Sequence, residues 1–161
     1  MESSLVISIL IFVIILYAIY CYNHSLSLQQ VALSSKSNLS SYIKKMESIF
    51  EKVLNESISG TKFEKDVLKS ITKIRKVGTD NPNALIHKIN DEIARYENYP
   101  TIKSQKLREK YQNEVSSLER EIQEATEVYN DYVVDYNTFI KSFPANIFCS
   151  IYSRKVFKFI D

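Results

Sequence analysis

The side chains best suited to catalysis or metal binding are few in this chain and widely spaced. It has two histidines, His24 and His87, and two cysteines, Cys21 and Cys149. Asp91 follows His87 by one helical turn, a spacing at which two ligands could share a metal ion. A solvated side-chain pair is much commoner at this spacing, and we expect one here.

Signatures of enzyme active sites are not found in the sequence. No Glu-x-x-His pair is present, although di-iron helical bundles require such pairs on facing helices. Phosphate loops, dinucleotide motifs and nucleophile elbows need glycines at fixed places, and the chain has only Gly60 and Gly78. The two cysteines lack metal or redox spacing. The sequence therefore predicts no enzyme, no cofactor and no bound metal.

The numbers of basic and acidic side chains are nearly equal, which gives no indication of a polyanionic partner. There are 21 basic and 19 acidic side chains, so no nucleic acid partner is expected. Lys and Glu alternate along segments such as 63–66 and 106–110, and the expected structure there is a solvated helix face.

An uncharged apolar run near the N-terminus predicts a membrane anchor. It extends from Leu5 through Ile11 and Leu16 to Cys21, contains one serine, and would be about 25 Å long as a helix. Tyr17, Tyr20 and Tyr22 lie at its end, where phenol rings favour the headgroup boundary. A cleaved signal peptide is less suitable because no basic residue precedes the run, and a lipoprotein signal is excluded by Tyr20 before Cys21.

The distribution of basic residues predicts how the anchor lies in the cell membrane. No Lys or Arg precedes the run, and the first one after it is Lys36. This favours a single-pass protein with its N-terminus outside and its later residues in the cytoplasm.

Glycine and proline divide the rest of the chain into long uninterrupted segments. Breaks are expected at Gly60, Gly78, Pro82, Pro100 and Pro144. Helices are predicted over 61–77, 83–99 and 101–143, and the segment 23–59 could continue the membrane helix. The fold class is therefore all-α: an N-terminal transmembrane helix followed by an antiparallel, up-down four-helix bundle with long first and fourth helices.

The last long helix has an apolar seam with a heptad repeat. Its steps of four and three residues predict burial against the other helices. The seam comprises Tyr111, Val115, Leu118, Ile122, Ala125, Tyr129, Tyr132, Tyr136, Phe139 and Phe143. Stripes expected to pack with it include Ile43, Met46 and Phe50 on the first helix and Leu85, Ile86, Ile89 and Ile93 on the third.

A series of landmarks in a fixed order resembles the LemA family of bacterial membrane-anchored proteins. The landmarks are Tyr22-Asn23, Glu64, Arg75, Tyr99-Pro100, Glu119 with Ile122, Tyr129-Asn130, Tyr136-Asn137 and Phe143-Pro144. The chain departs from the family pattern after Lys44-Lys45 and at Thr126, as a divergent member would. The resemblance implies an anchored antiparallel four-helix bundle with the N-terminus outside, and it implies no reaction.

These observations divide the chain into three parts: an anchor at 1–22, a LemA-like bundle at 23–143 and an aromatic and basic tail at 144–161. Glu64, Arg75 and Glu119 are expected to form helix-surface charges or inter-helix contacts rather than a ligand site. The Tyr-Asn pairs are expected to place tyrosine in the core and asparagine against a neighbouring element.

The tail mixes aromatic and basic side chains, which suits a membrane interface. The residues concerned are Phe148, Arg154, Lys155, Phe157 and Lys158. The other interpretation is that the tail closes the end of the bundle.

Two functions agree with this architecture. One is a membrane-anchored interaction or scaffold module with an unidentified protein partner. The other is a membrane-associated sensor or regulator of envelope state. The lipid bilayer is the expected partner in both. The sequence also allows a homo-oligomer, because a second copy of the chain could cover an apolar helix stripe that the bundle leaves exposed.

Overall fold

A computed structural model describes residues 2–57, 81–97 and 105–160. Four helices occur in these ranges: α1 (Glu2–Ser57), α2 (Pro82–Glu97), α3 (Gln105–Lys141) and α4 (Ala145–Ile151). No strand is present within the described ranges, and the predicted all-α class is confirmed. The predicted helix at 61–77, with Glu64 and Arg75, lies outside the described residues, as do Tyr99 and Pro100.

Helix α1 is continuous over 56 residues, so the apolar run and the segment after it form one helix. Neither glycine nor proline occurs before Gly60 to interrupt it. Among the described helices, α1 alone contains a stretch long and apolar enough to cross a membrane.

Helix α2 begins at Pro82, one residue before the predicted start at 83. The Asn81 side chain accepts a hydrogen bond from the Ala84 backbone N–H at 2.9 Å, which makes Asn81 the N-cap. Pro82 occupies the first helical position, where its missing N–H has no consequence.

The seam of α3 agrees with the prediction in its first half and shifts in its second half. Val115, Leu118 and Ile122 are buried. Beyond Tyr129 the buried positions are Val133, Tyr136 and Ile140, whereas the predicted Tyr132 and Phe139 are half-buried and the predicted Phe143 is 80% exposed. An α-helix drifts by about 20° per heptad from a seven-residue repeat, which over four heptads moves the buried stripe by nearly one residue. The prediction for Phe143 was therefore wrong.

The segment after α3 contains a short helix that was not predicted. Directly after α3, the backbone N–H of Ser142 donates a hydrogen bond to the Thr138 carbonyl at 2.9 Å. A cis peptide bond then joins Phe143 to Pro144, and α4 begins at the next residue. Ala145 and Cys149 are its buried residues.

By contacts, the chain forms two compact units. The first consists of Met1–Ser35 and Asn130–Phe159, and the second of Lys36–Tyr129 and Ile160–Asp161. This division is separate from the three-part division at residues 22 and 143, which stays a prediction.

The core of the first unit combines small side chains of α1 with larger ones of α3. Cys21, Ser25, Ala32 and Ser35 are buried on one face of α1. Tyr136, Ile140 and Cys149 form a buried cluster that Leu28, Phe139 and Phe157 cover. The small residues allow the aromatic rings to approach α1 closely.

The core of the second unit is aliphatic. Its buried members are Leu39, Ile43, Met46, Ile49, Leu85, Ile86, Ile89, Val115, Leu118, Ile122, Tyr129 and Ile160. The predicted stripe residues Ile43, Met46, Leu85, Ile86 and Ile89 are thus confirmed as core. The side chains of Phe50 and Ile93 lie outside the described set.

Candidate functional site

The C-terminal segment packs along α1 at the end of the apolar run, and this contact is the most elaborate polar and aromatic arrangement in the first unit. The Phe148 ring meets Tyr17 edge-on at 5.5 Å between centroids. Tyr152 donates its hydroxyl to the Ala18 carbonyl at 3.2 Å and packs edge-on against Tyr22 at 5.2 Å. Helix α4 therefore lies beside the last turn of the run.

Arg154 joins the segment to α1 slightly beyond this turn. Its Nη1 donates to Gln29 Oε1 at 2.6 Å, and its guanidinium lies 5.3 Å from the centre of the Tyr22 ring. Its Nε and Nη2 are buried and have no hydrogen-bond partner among the described residues. The residue as a whole is half-buried, and Arg154 links the C-terminal segment to α1 while carrying a positive charge.

Asn137 holds the end of the segment against α3. Its side-chain N–H donates to the Phe157 carbonyl at 2.9 Å, and its Oδ1 accepts from the Phe157 backbone N–H at 2.9 Å. The Tyr136 ring lies 4.8 Å from that of Phe157. Here the Tyr-Asn pair has the structural role expected from the sequence, with the tyrosine buried and the asparagine bonded to a neighbouring segment.

The other predicted residues are placed as follows. Glu119 accepts a hydrogen bond from the Asn90 side chain at 2.8 Å, which joins α3 to α2. Ile122, three residues after Glu119, is buried. Tyr129 is buried and Asn130 half-buried, while Tyr22, Asn23 and Phe143 are exposed and Pro144 is half-buried. Leu5, Ile11 and Leu16 are exposed, and Cys21 is fully buried.

The five residues suggested for a membrane interface divide into two groups. Phe148, Arg154 and Phe157 are half-buried in the contacts just described. Lys155 and Lys158 are exposed.

Among the described residues, neither histidine has a ligand-like environment. His24 is stacked on Tyr20 at 5.4 Å and meets Phe139 edge-on at 4.6 Å, so it belongs to the aromatic packing around α1. His87 and Asp91 are exposed. Within residues 2–57, 81–97 and 105–160, no three His, Cys, Asp or Glu residues are grouped closely enough to hold a metal ion.

The two cysteines are neighbours in the structure, which their distance in sequence did not indicate. Both are buried free thiols. Burial raises the pKa of Cys149, the nearby Cys21 raises it further, and Arg154 and a hydrogen bond with Ser25 act in the opposite direction. A thiol with a raised pKa is a poor nucleophile at neutral pH, so Cys149 is suited to packing rather than to catalysis.

A groove on the second unit, lined by described residues of α1 and α3, combines charged and apolar side chains. Its volume is about 420 Å³. It is lined by Lys45, Ser48, Ile49 and Lys52 of α1 and by Glu114, Ser117, Leu118 and Glu121 of α3. Lys45 and Glu121 form an ion pair at 3.7 Å across it. The groove offers charges of both signs above an apolar floor, which suits a polar peptide surface better than a small substrate.

The sequence did not indicate the contacts that Tyr17, Ala18 and Gln29 of α1 make with the C-terminal segment, nor the role of Tyr152 directly after α4. A signal for α4 was present: Ala145, Phe148, Cys149 and Tyr152 follow the i, i+3, i+4, i+7 spacing of a helix face. The partners on α1 could not be found this way because they are ordinary members of a long helix.

Comparison with known proteins gives one result. The model of the LemA family matches residues 35–160 of the chain. No curated protein and no solved structure matches it.

Proposed function

The chain belongs to the LemA family, and from this premise we propose that it is a membrane-anchored helical module that presents its second unit to a protein partner. The proposal has two parts: an anchor formed by the start of α1, and a scaffold formed by the helices after it.

One observation carries the anchor. From Leu5 to Leu16 the large apolar side chains of α1 are each at least half exposed, and no Asp, Glu, Lys or Arg lies among them. Burial of one such side chain contributes about 1.5–3 kcal/mol. A patch of this size in water would lead to aggregation, and insertion into lipid removes it from water.

The proposed orientation places the N-terminus outside and the later helices in the cytoplasm. It is supported by the uncharged stretch from Ser3 to Ser35 and by the basic residues that begin at Lys36. A cytoplasm-active fluorescent reporter and a periplasm-active phosphatase, each fused to the C-terminus of the full chain, test it. Phosphatase activity without fluorescence would show that the C-terminus lies outside the cytoplasm, opposite to the proposed orientation.

The scaffold part is supported by the groove between α1 and α3. Its rim is charged on both sides and its floor contains Ile49 and Leu118, which is the usual composition of a transient protein interface. We propose a protein partner here, with a second copy of the chain as one outcome of the test.

The anchor is tested by washing membranes with alkaline carbonate and, separately, with urea. Retention of the full chain in both pellets is expected, because extraction would expose the apolar run. Release into either supernatant would contradict the anchor.

The scaffold is tested by photo-crosslinking in intact membranes. A photoreactive amino acid at Ser48 or Ser117, both exposed in the groove, should give one discrete adduct, identified by mass spectrometry. The matched control is Lys88, exposed on α2, where the adduct should be absent. Equal crosslinking at both sites would remove the groove as the interface.

A second candidate function is a sensor or regulator of envelope state. It is supported by the contact of α4 with α1 at the end of the apolar run, where a change in the bilayer could alter the packing of Tyr152. The two functions differ in one measurement: a sensor changes the yield of the groove adduct with lipid composition, whereas a simple scaffold does not.

A further inference from the structure

The apolar run is partly covered by the protein itself. Residues 3–16 of α1 are all exposed, whereas Tyr17 and Ala18 are half-buried and Cys21 is buried; Ile19 and Tyr20, between them, are still 53% exposed. The freely exposed stretch of fourteen residues is about 21 Å long at 1.5 Å per residue. The hydrocarbon core of a bilayer is about 30 Å thick. With the charged Glu2 at its other end, the run cannot cross unless lipid also reaches the level of Tyr17 to Cys21.

The residues at that level include the turn between α3 and α4. Before the turn, Phe139 contacts Tyr20 at 6.5 Å between ring centres. After it, Phe148 contacts Tyr17 and Tyr152 contacts Ala18. The turn is thus bracketed by contacts to the last part of the run.

The outer side of this turn is apolar. Phe143 is 80% exposed, Ile147 52% and Ile151 71%, and Ile147 and Ile151 share one face of α4 because they are four residues apart. The opposite face of α4 contains Ala145 and Cys149, which are buried. We call Phe143, Ile147 and Ile151 the apolar tip.

The charged residues that flank the tip in sequence are all positive. Lys141, Arg154, Lys155 and Lys158 occur after Asp135, and no Asp or Glu occurs between residues 136 and 160. Lys141 and Lys155 are exposed on either side of the tip in sequence. A basic residue near an anionic leaflet contributes about 1 kcal/mol.

We infer that the apolar tip is a second membrane contact, which enters the interface of an anionic bilayer beside α1 while Lys141 and Lys155 meet the lipid headgroups. This inference rests on the proposed anchor and adds to it the surface by which the helical body contacts lipid. We infer lipid as the occupant because the contacts on both sides of the tip join it to the last part of the proposed anchor, and because basic residues flank it in sequence.

The chain has no tryptophan, so a single introduced indole reports its own depth. The full-length variants Ile11→Trp, Ile151→Trp and Gln123→Trp are reconstituted into vesicles of equal parts phosphatidylglycerol and phosphatidylcholine. Ile11 lies in the anchor, Ile151 in the tip, and Gln123 is exposed on α3 in the second unit. Quenching by lipids brominated near the glycerol end or near the middle of the acyl chain gives the depth, and circular dichroism checks the fold.

The expected result is deep quenching for Ile11→Trp, shallow quenching for Ile151→Trp and none for Gln123→Trp. The loss of emission at the tip should reach about half of that in the anchor, as for a side chain at the headgroup boundary. Quenching of Ile11→Trp without quenching of Ile151→Trp overturns the tip and leaves the anchor intact. No quenching of Ile11→Trp overturns the proposed anchor and the tip with it.

The role of the cations is tested in the Ile151→Trp background. Lys141→Gln with Lys155→Gln should lower the quenching to the level found in pure phosphatidylcholine vesicles. The control pair Lys44→Gln with Lys88→Gln removes the same charge from exposed positions of the second unit and should leave the quenching unchanged. Equal quenching in anionic and zwitterionic vesicles by the parent would overturn the headgroup contact.

Discussion

At the scale of single residues, the fixation of the C-terminal segment depends strongly on Asn137. Its amide makes two 2.9 Å hydrogen bonds with the backbone of Phe157, in the manner of a neighbouring strand. Asn137 is itself buried, so removal of its side chain leaves an N–H and a carbonyl of the segment without their partner.

We predict that Asn137→Ala loosens the segment by about 2 kcal/mol, which corresponds to about thirtyfold more of the open state. Trypsin should then cleave after Arg154 and Lys155 faster by a similar factor, because cleavage follows the open population. The control is Thr138→Ala, at the exposed neighbouring position. Equal cleavage of the two variants would show that Asn137 does not fix the segment.

The buried thiol of Cys149 predicts a pH dependence. Burial raises its pKa in the folded chain, with Cys21 adding to the effect. The pKa of the Cys149 thiol is therefore higher in the folded chain than in the unfolded chain. Burial of the neutral thiol contributes its full stabilisation at pH values below the unfolded pKa, and this contribution is lost as the pH rises through the folded pKa. Burial also raises the pKa of Tyr136, with the same sign.

The measurement is the pH dependence of Cys149 alkylation in a Cys21→Ala background. The midpoint in the folded chain should lie above the midpoint of the same chain in urea. A folded midpoint at or below that in urea would mean that the thiol is not buried in a low-dielectric environment.

At the scale of helices, the shifted seam of α3 gives a direct test of which face is buried. Val133 is fully buried and Val134 is 48% exposed, and both can be shortened by the same two methyl groups. Val133→Ala should lower the free energy of unfolding by about 2 kcal/mol, from lost burial and a small cavity. Val134→Ala should change it by less than about 0.5 kcal/mol. Urea unfolding in detergent measures both, and the reverse order would restore the strict heptad seam.

Helix α4 has two faces with different roles, and adjacent residues separate them. Phe148 packs on Tyr17, whereas Ile147 is exposed. In detergent, Phe148→Ala should lower the free energy of unfolding by about 1–2 kcal/mol for a half-buried ring, and Ile147→Ala should have little effect. Equal losses would indicate that detergent or protein covers both faces.

The sequence was a good guide to the helices and a poor one to the contacts between distant segments. Gly78 and Pro82 predicted the start of α2 to within one residue, because turn chemistry is local, and the Asn81 side chain caps the helix there. The predicted seam of α3 kept a strict seven-residue repeat to its end, and the buried positions depart from it beyond Tyr129, because a straight helix does not keep that repeat. The contacts of Tyr152 with Ala18 and of Arg154 with Gln29 join residues more than a hundred positions apart, and periodicity carries no information on such pairs.

At the scale of the whole molecule, we expect the proposed anchor to be the part most sensitive to a single introduced charge. We predict that Ile11→Lys raises the free energy of membrane insertion by about 3 kcal/mol, so that a large share of the chain no longer sediments with urea-washed membranes. Ile11→Val, which keeps the position apolar, should sediment like the parent. Equal membrane retention of Ile11→Lys would show that residues around Ile11 are not in the bilayer interior.

The contrast between residues 5–16 and the rest of the chain has a consequence for how related sequences should differ. The large apolar side chains from Leu5 to Leu16 are at least half exposed. The proposed contact with lipid requires these positions to be apolar but requires no particular side-chain shape. From Tyr17 onward, particular shapes meet Phe148, Tyr152 and Arg154. The family match begins at residue 35, so both stretches precede it. If the start of α1 lies in lipid as proposed, related sequences should exchange one apolar residue for another more freely at 5–16 than from Tyr17 onward.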